Sequence, residues 1–128
     1  MSAADVRASW LKYCDEVVNA AGKDPNSALA RIAEKYQQLP QEDRVIVDRL
    51  LVEQLQANEL VPGAPWYEGE NARFIPEFLI DEFRIVAALP VLRVLGNWLE
   101  SQDTPGAPYE WAKVNRLIGK LVEHPNGA

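Results

Sequence analysis

The chain has 128 residues, of which 48% are hydrophobic and 25% are charged, and these proportions are typical of one folded globular domain. Its formal net charge is −6, and its lysines and arginines are spread singly, so we do not expect it to bind nucleic acid. A basic protein partner suits this charge better.

The N-terminal residues and the cysteine content indicate the compartment. The chain starts without the basic and apolar regions of a signal peptide. No stretch approaches the roughly 18 apolar residues that a membrane span requires. Cys14 is the only cysteine, so an internal disulfide is impossible and a reducing compartment is favoured. We therefore predict a cytoplasmic protein that does not bind membranes.

Apolar residues recur at three- and four-residue steps in the first half of the chain, which is the spacing of helix faces. This spacing predicts a first helix over about 3–21, ended by Gly22. A second helix is predicted over 25–38, with Asp24 as its N-terminal cap. Pro40 opens a third helix with a broad apolar face.

Prolines and glycines divide the second half of the chain into further helices. Residues 58–70 contain two prolines and two glycines and are predicted to form a long irregular loop. A fourth helix is predicted over about 72–86, with Pro76 in its first turn, where proline is tolerated. Pro90 and Pro108 are predicted to begin a fifth and a sixth helix. No segment shows the alternating pattern of a strand.

A tetrapeptide occurs twice in the chain. Pro62-Gly63-Ala64-Pro65 returns as Pro105-Gly106-Ala107-Pro108, an offset of 43 residues. The apolar positions that follow also agree, since Phe74 matches Leu117 and Ile75 matches Ile118. A period of this size lies within the range of HEAT and armadillo repeats. The alternative is that two amphipathic helices after similar turns match by chance.

The stretch from Ala88 to Leu95, ALPVLRVL, resembles the start of the second helix of a HEAT repeat. The stretch from Phe78 to Phe83 resembles the first helix, and the resemblance is best over residues 72–101. It implies an all-α superhelix of about six helices in stacked antiparallel pairs, which binds proteins and has no common catalytic residues. The predicted single domain 1–128 then comprises a capping helix over about 1–22, a helix pair over 23–57, the loop at 58–70, a HEAT-like pair over 71–101, a C-terminal helix over 102–123 and a frayed tail at 124–128.

Residues that carry chemistry are sparse in this sequence. There is one histidine and one cysteine, without the spacing of a metal site. Glu77 and Asp81 share a helix face, and Arg84 is spaced to pair with Asp81. Cys14 lies on an apolar helix face, where we expect a buried, unreactive thiol, and His124 is in the tail. We therefore predict no catalytic residue, no cofactor and no metal.

An acidic, aromatic segment is the best candidate for a contact surface. From Trp66 to Glu82 there are five acids and one base, a composition that suits a basic protein partner. The predicted partner-binding residues are Trp66, Tyr67, Glu68, Glu70, Glu77 and Asp81. The alternative is that Trp66 folds back into the core. The same core placement is expected of Trp98, Tyr109 and Trp111.

Three functions follow from these observations. The leading hypothesis is a non-catalytic protein-interaction module, either a scaffold or an adaptor. The second is an immunity or antitoxin-type protein that inhibits a basic toxin enzyme. The third is a small enzyme or ligand-binding α-domain with a pocket between its helices. The sequence does not determine the oligomeric state.

Overall fold

A computed structural model describes residues 2–57, 70–103 and 106–123, without the side chains of residues 25, 57 and 70–74. These residues are almost entirely helical and include no strand, which confirms the predicted all-α class. The described helices are α1 (Ala3–Ala21), α2 (Pro25–Gln38), α3 (Gln41–Ala57), α4 (Glu70–Phe83), α5 (Leu89–Glu100) and α6 (Ala107–Glu123), with a 3₁₀ turn at Val86–Ala88.

The chain divides into two compact units, an N-terminal unit over Met1–Leu50 and a C-terminal unit over Leu51–Ala128. The division falls within α3. The predicted loop at 58–70 lies outside the described residues apart from Glu70, which begins α4. The predicted tail at 124–128 also lies outside them.

The helix ends of the N-terminal unit follow local rules that were readable in the sequence. Gly22 ends α1 with a φ of 59°, a left-handed conformation that glycine adopts without a steric cost. The carboxylate of Asp24 accepts a hydrogen bond from the backbone N–H of Ser27 and so caps α2, as predicted. At the start of α3, the carbonyl of Pro40 accepts from the N–H groups of Asp43 and Arg44.

The core of the N-terminal unit is formed where α1 packs on α2. The buried side chains of α1 recur at four-, four- and three-residue steps, so they form one stripe. Trp10 in this stripe packs edge-to-face on Tyr36 of α2, with 6.3 Å between the ring centroids. The main buried residues of the unit are Val6, Trp10, Cys14, Val17, Leu29, Ile32, Tyr36, Val47 and Leu50.

The fourth helix differs from its prediction at both ends. It begins at Glu70, earlier than expected, so Pro76 lies inside the helix and not in its first turn. Proline has no N–H for the helical ladder, but its ring is fully buried here and adds to the core. The helix ends at Phe83 because Arg84 takes a φ of 51°, which a right-handed helix cannot continue.

The core of the C-terminal unit is centred on α5 and α6, which make the most extensive helix contact, while α4 also packs on α6. The six residues between α5 and α6 are typical of antiparallel neighbours. Gly96 lies next to α6, where a Cβ would make an ordinary van der Waals contact with Val114 Cγ1 at 3.6 Å. The predicted repeat arrangement, with α2 paired to α3 and α4 paired to α5, stays a prediction.

Two aromatic residues of α6 were expected in the core, and that expectation is wrong. Tyr109 is 70% exposed and Trp111 is 37% exposed, whereas Trp98 of α5 is half-buried. The reason is the position of the buried stripe of α6, which includes Val114 and Leu117 and turns Tyr109 and Trp111 to its two flanks. Glu110 occupies the stripe position between them and is only 8% exposed.

Candidate functional site

The predicted partner-binding residues are only partly described. Trp66, Tyr67 and Glu68 lie outside the described residues, as do the two prolines and the glycine of the first tetrapeptide. Glu70 begins α4, but its side chain is not described. Glu77 and Asp81 lie one turn apart on α4, and both are half-buried.

Asp81 is bound by two cations, which compensates its charge. Lys120 Nζ lies 2.9 Å and 3.2 Å from its two carboxylate oxygens, and Arg84 Nη1 lies 2.9 Å from Oδ1. Arg84 also donates to the backbone carbonyl of Asp81. The predicted Arg84–Asp81 pair is therefore confirmed, and Lys120 adds a link from α4 to α6. This geometry makes Asp81 an anchor between two helices more than a free negative charge.

A groove of about 330 Å³ runs between α5 and α6, and we call it the α5–α6 groove. Its walls are two helical stripes, because the lining residues of each helix recur at steps of three or four. The large side chain of Trp111 is exposed in this groove. Asn115 Nδ2 donates a hydrogen bond to the backbone carbonyl oxygen of Trp111 at 3.0 Å. The lining residues are Arg93, Gly96, Asn97 and Glu100 of α5 and Trp111, Asn115 and Ile118 of α6.

The two flanks of α6 differ in character. Val122, which is 55% exposed, continues the stripe of Trp111 and Ile118. On the opposite flank, Tyr109 stands beside Lys113, whose Nζ lies 6.0 Å from the ring centroid. The apolar flank therefore borders the groove, and the other flank is polar and basic.

A second groove of about 450 Å³ lies within the N-terminal unit, and we call it the α1–α3 groove. Trp10 and Tyr13 form one wall, and Lys35 Nζ lies 5.3 Å from the Tyr13 ring centroid. The Tyr13 hydroxyl donates to the carbonyl of Arg31 at 3.3 Å. The full lining is Val6, Ser9, Trp10, Lys12, Tyr13, Glu16, Lys35, Leu39, Asp43 and Val47. An apolar floor with a charged rim suits a small amphipathic ligand.

A polar cluster joins α2 to α3 behind Trp10. The Tyr36 hydroxyl donates to Asp48 Oδ1 at 2.6 Å, and the Arg44 guanidinium lies 5.5 Å from the Tyr36 ring centroid. Arg44 also donates to the carbonyl of Gln37. Burial raises the pKa of Asp48, while the hydrogen bond from Tyr36 and the charge of Arg44 act in the opposite direction. Burial and the same bond raise the pKa of Tyr36.

Cys14 lies in the buried stripe of α1, as predicted. Burial raises the pKa of its thiol to about 12, and the charge of Asp15 adds to this. This confirms the predicted burial of Cys14, and a raised pKa favours the protonated thiol at neutral pH; its low reactivity stays a prediction. His124 lies outside the described residues.

Two properties are stated of the described residues alone. No group of three or more histidine, cysteine, aspartate or glutamate side chains within them is arranged to hold a metal ion. None of the helices in this part of the chain combines the length and the apolar character that crossing a bilayer requires.

Sequence reasoning missed both grooves and the buried Glu110. Each groove is lined by polar and apolar residues from different helices, so its signal is spread over distant positions. The α5–α6 groove had one local signal, since Trp111, Asn115 and Ile118 recur at helical spacing beside the core stripe. Glu110 had none, because residue type places glutamate on the surface, whereas packing in the structure leaves it only 8% exposed.

Comparison of the chain with protein-family models, with curated proteins and with solved structures finds no match in any of the three.

Proposed function

We propose that this chain is a non-catalytic protein-interaction module of the HEAT-like helical-repeat kind, which acts in the cytoplasm and binds a basic protein. The distribution of charge carries the proposal. Residues 1–50 include 8 acids and 7 bases and are nearly balanced, whereas residues 51–128 include 11 acids and 6 bases. The negative charge of the chain is thus concentrated in its C-terminal unit, which favours a basic partner there over nucleic acid.

The contacts within the C-terminal unit strengthen this asymmetry. Of its basic side chains, Arg84 and Lys120 are bound to Asp81, and Lys113 lies 3.9 Å from Glu110. These cations are held by acids of the chain itself. Within the described part of this C-terminal unit, the exposed acids are Glu53, Glu82, Glu100, Asp103 and Glu123. Trp66, Tyr67 and Glu68 stay predicted contacts in the same half of the chain.

An immunity or antitoxin protein would be a special case of this module, with a toxin enzyme as its basic partner. The same charge complementarity would then direct the encounter. Inhibition of a toxin by the chain is the property that separates this case from a scaffold.

Charge reversal with a matched control tests the proposal. A partner is captured from extracts of the source organism, identified, and produced in recombinant form, and its affinity is measured by titration calorimetry. We expect a basic protein whose affinity falls as salt rises. The double variant Glu82→Lys/Glu123→Lys should weaken binding by at least about tenfold. Asp15→Lys/Glu34→Lys makes the same charge change on exposed residues of the N-terminal unit and should leave affinity unchanged.

Two results would contradict the proposal. One is an acidic or neutral partner whose affinity does not respond to salt. The other is equal weakening by the two double variants, because this would show that overall charge, and not the C-terminal unit, governs binding. Far-UV circular dichroism of both variants checks that the helices are intact.

The α1–α3 groove supports a second candidate function, the binding of a small ligand. Its volume of about 450 Å³ lies within the usual range of ligand pockets, roughly 300–1,000 Å³. Trp10 and Tyr13 offer aromatic surface, and Lys35 and Asp43 offer charges of both signs at the rim. A ligand with one aromatic ring and one charged group matches this lining.

Methyl NMR spectroscopy tests this second candidate, with small aromatic amines and aromatic carboxylates added to the chain as probes. Ligand binding predicts shifts of the Val6 and Val47 methyl signals and none at Leu117 in the C-terminal unit. Tyr13→Ala should abolish the shifts. Equal responses of all methyl groups, or no response to either class of probe, would remove this candidate.

A further inference from the structure

We propose that the α5–α6 groove binds the same groove of a second copy of the chain, with Arg93 of each copy against Glu100 of the other. This inference goes beyond the proposed function and does not rest on it. The occupant follows from how the charged, polar and apolar residues of the groove are ordered along it.

The order of residues in the groove is self-complementary. Arg93 and Glu100 are separated by seven residues of α5, about 10.5 Å along the helix axis, and carry opposite charges. Asn97 lies between them. On α6, Trp111 and Ile118 are also separated by seven residues, and so by the same distance.

The antiparallel course of the two helices sets the ends of the groove. Gly96 faces Val114, so Glu100 and Trp111 share the end next to the connection, and Arg93 and Ile118 share the other end. The middle of the groove holds Asn97 and, on α6, its polar counterpart Asn115. Each end thus pairs one charged residue with one large apolar residue.

A two-fold axis that crosses the middle of the groove, perpendicular to the two helices, brings unlike ends together. Glu100 of one copy then meets Arg93 of the second copy, and Trp111 meets Ile118. Each contact occurs twice, as an isologous interface requires. The two asparagines fall near the axis, where amide groups can donate to and accept from their own symmetry mates. A two-fold axis along the groove would instead lay α5 on α6 of the second copy, so that Glu100 would meet Trp111 and not a cation.

The charge of the groove argues against the basic partner as its occupant. Its lining includes one cation and one anion, so it has no net charge to attract a polycation. A second copy matches both charges. Because each chain carries −6, the rest of the surface repels a second copy, and added salt screens that repulsion. Self-association should therefore persist at salt concentrations that weaken a basic partner.

The size of the face sets the expected affinity. The groove face is as long as α5, about 18 Å, and as wide as two helices, about 20 Å, so a dimer buries less than about 1,200 Å² in total. Interfaces of that size are weak or transient. We expect a dissociation constant in the micromolar range.

Sedimentation equilibrium of the full chain, from about 1 µM to about 1 mM, tests the proposal. Arg93→Glu and Glu100→Arg should each weaken the dimer by at least about tenfold, because each places like charges together. The double variant Arg93→Glu/Glu100→Arg exchanges the two charges and should restore the dimer. Trp111→Ala should weaken it, whereas Tyr109→Ala, on the opposite flank of α6, should not.

Cysteine crosslinking tests the same arrangement of the two copies and does not depend on the affinity of the dimer. Asn97→Cys places a thiol near the proposed axis and should form a crosslinked dimer with a short bis-maleimide reagent. Tyr109→Cys, on the opposite flank of α6, should stay monomeric under the same conditions, and buried Cys14 should not react. A chain that is monomeric at about 1 mM, or a double variant that fails to restore association, would overturn the proposal. A monomer would leave the binding of a basic partner intact.

Discussion

Removing the hydroxyl group of Tyr36 should lower the stability of the chain, because Asp48 loses a hydrogen-bond donor. In Tyr36→Phe the ring keeps its packing on Trp10, but the partly buried carboxylate of Asp48 loses the donor that lies 2.6 Å away. Hydrogen bonds to charged groups contribute about 1.5–3 kcal/mol, and the half-buried position of Asp48 favours the lower end. We expect a loss of about 1.5 kcal/mol at pH 7.

The pH dependence of this loss gives a second test. Burial raises the pKa of Asp48, so the folded state holds the proton more tightly than the unfolded state does. Stability from this group is therefore highest below the ordinary Asp pKa, about 3.9, and falls as pH rises through the folded value. Asp48→Asn keeps an acceptor for Tyr36 and should not show this fall. The cost of Tyr36→Phe should be smaller at pH 4 than at pH 7.

Urea unfolding followed by far-UV circular dichroism measures both variants, with hydrogen exchange of α2 and α3 amides as a local check. Tyr13→Phe is the matched control, because its hydroxyl bond is long, at 3.3 Å, and exposed. It should cost less than about 0.5 kcal/mol. Equal destabilisation by Asp48→Asn and Tyr36→Phe would contradict a role for the Asp48 charge, as would a cost of Tyr36→Phe that does not change with pH.

Three further predictions concern single groups. Cys14, whose pKa is about 12 against an ordinary 9.0, should react with Ellman's reagent at pH 8 roughly a thousandfold more slowly in the folded chain than in urea; a difference within tenfold would contradict its burial. Lys120→Met should cost less than about 1 kcal/mol in urea unfolding, because the ion pair is partly exposed and Arg84 still binds Asp81. Gly96→Ala should raise stability by about 0.5–1 kcal/mol, since its Cβ would make an ordinary contact with Val114. The control Gly119→Ala, where a Cβ meets open space, should raise stability by a similar amount. A loss of stability at position 96 alone would show that the helices cannot accept a methyl group there.

The helix boundaries show how far the sequence determined the fold. The limits of α1 and α2 were predictable because Gly22 and Asp24 act locally, through backbone conformation and a cap. The limits of α4 were not, because Arg84 ends this helix in a conformation that glycine usually adopts. Pro76 was misplaced for a related reason. Its tolerance inside the helix depends on burial in the core, which no local rule reports.

The candidate sites depended still more on tertiary structure. The pair between Asp81 and Arg84 was predictable from helical spacing, but Lys120 lies 39 residues away from Asp81 and joins it only through packing. Tyr109 and Trp111 were assigned to the core by residue type alone. Their exposure follows from which stripe of α6 faces its neighbours, and that choice depends on α5 and α4 together.

Arg84 has two structural roles in this chain. Its backbone makes the turn after α4, and its guanidinium binds the carboxylate of Asp81 one turn earlier. A left-handed arginine is costly, and we expect its bonds to Asp81 to offset part of that cost. Positions 81 and 84 should therefore change together during evolution. Descendants that lose the carboxylate at 81 should acquire glycine or asparagine at 84, whereas those that keep it can retain a basic side chain there.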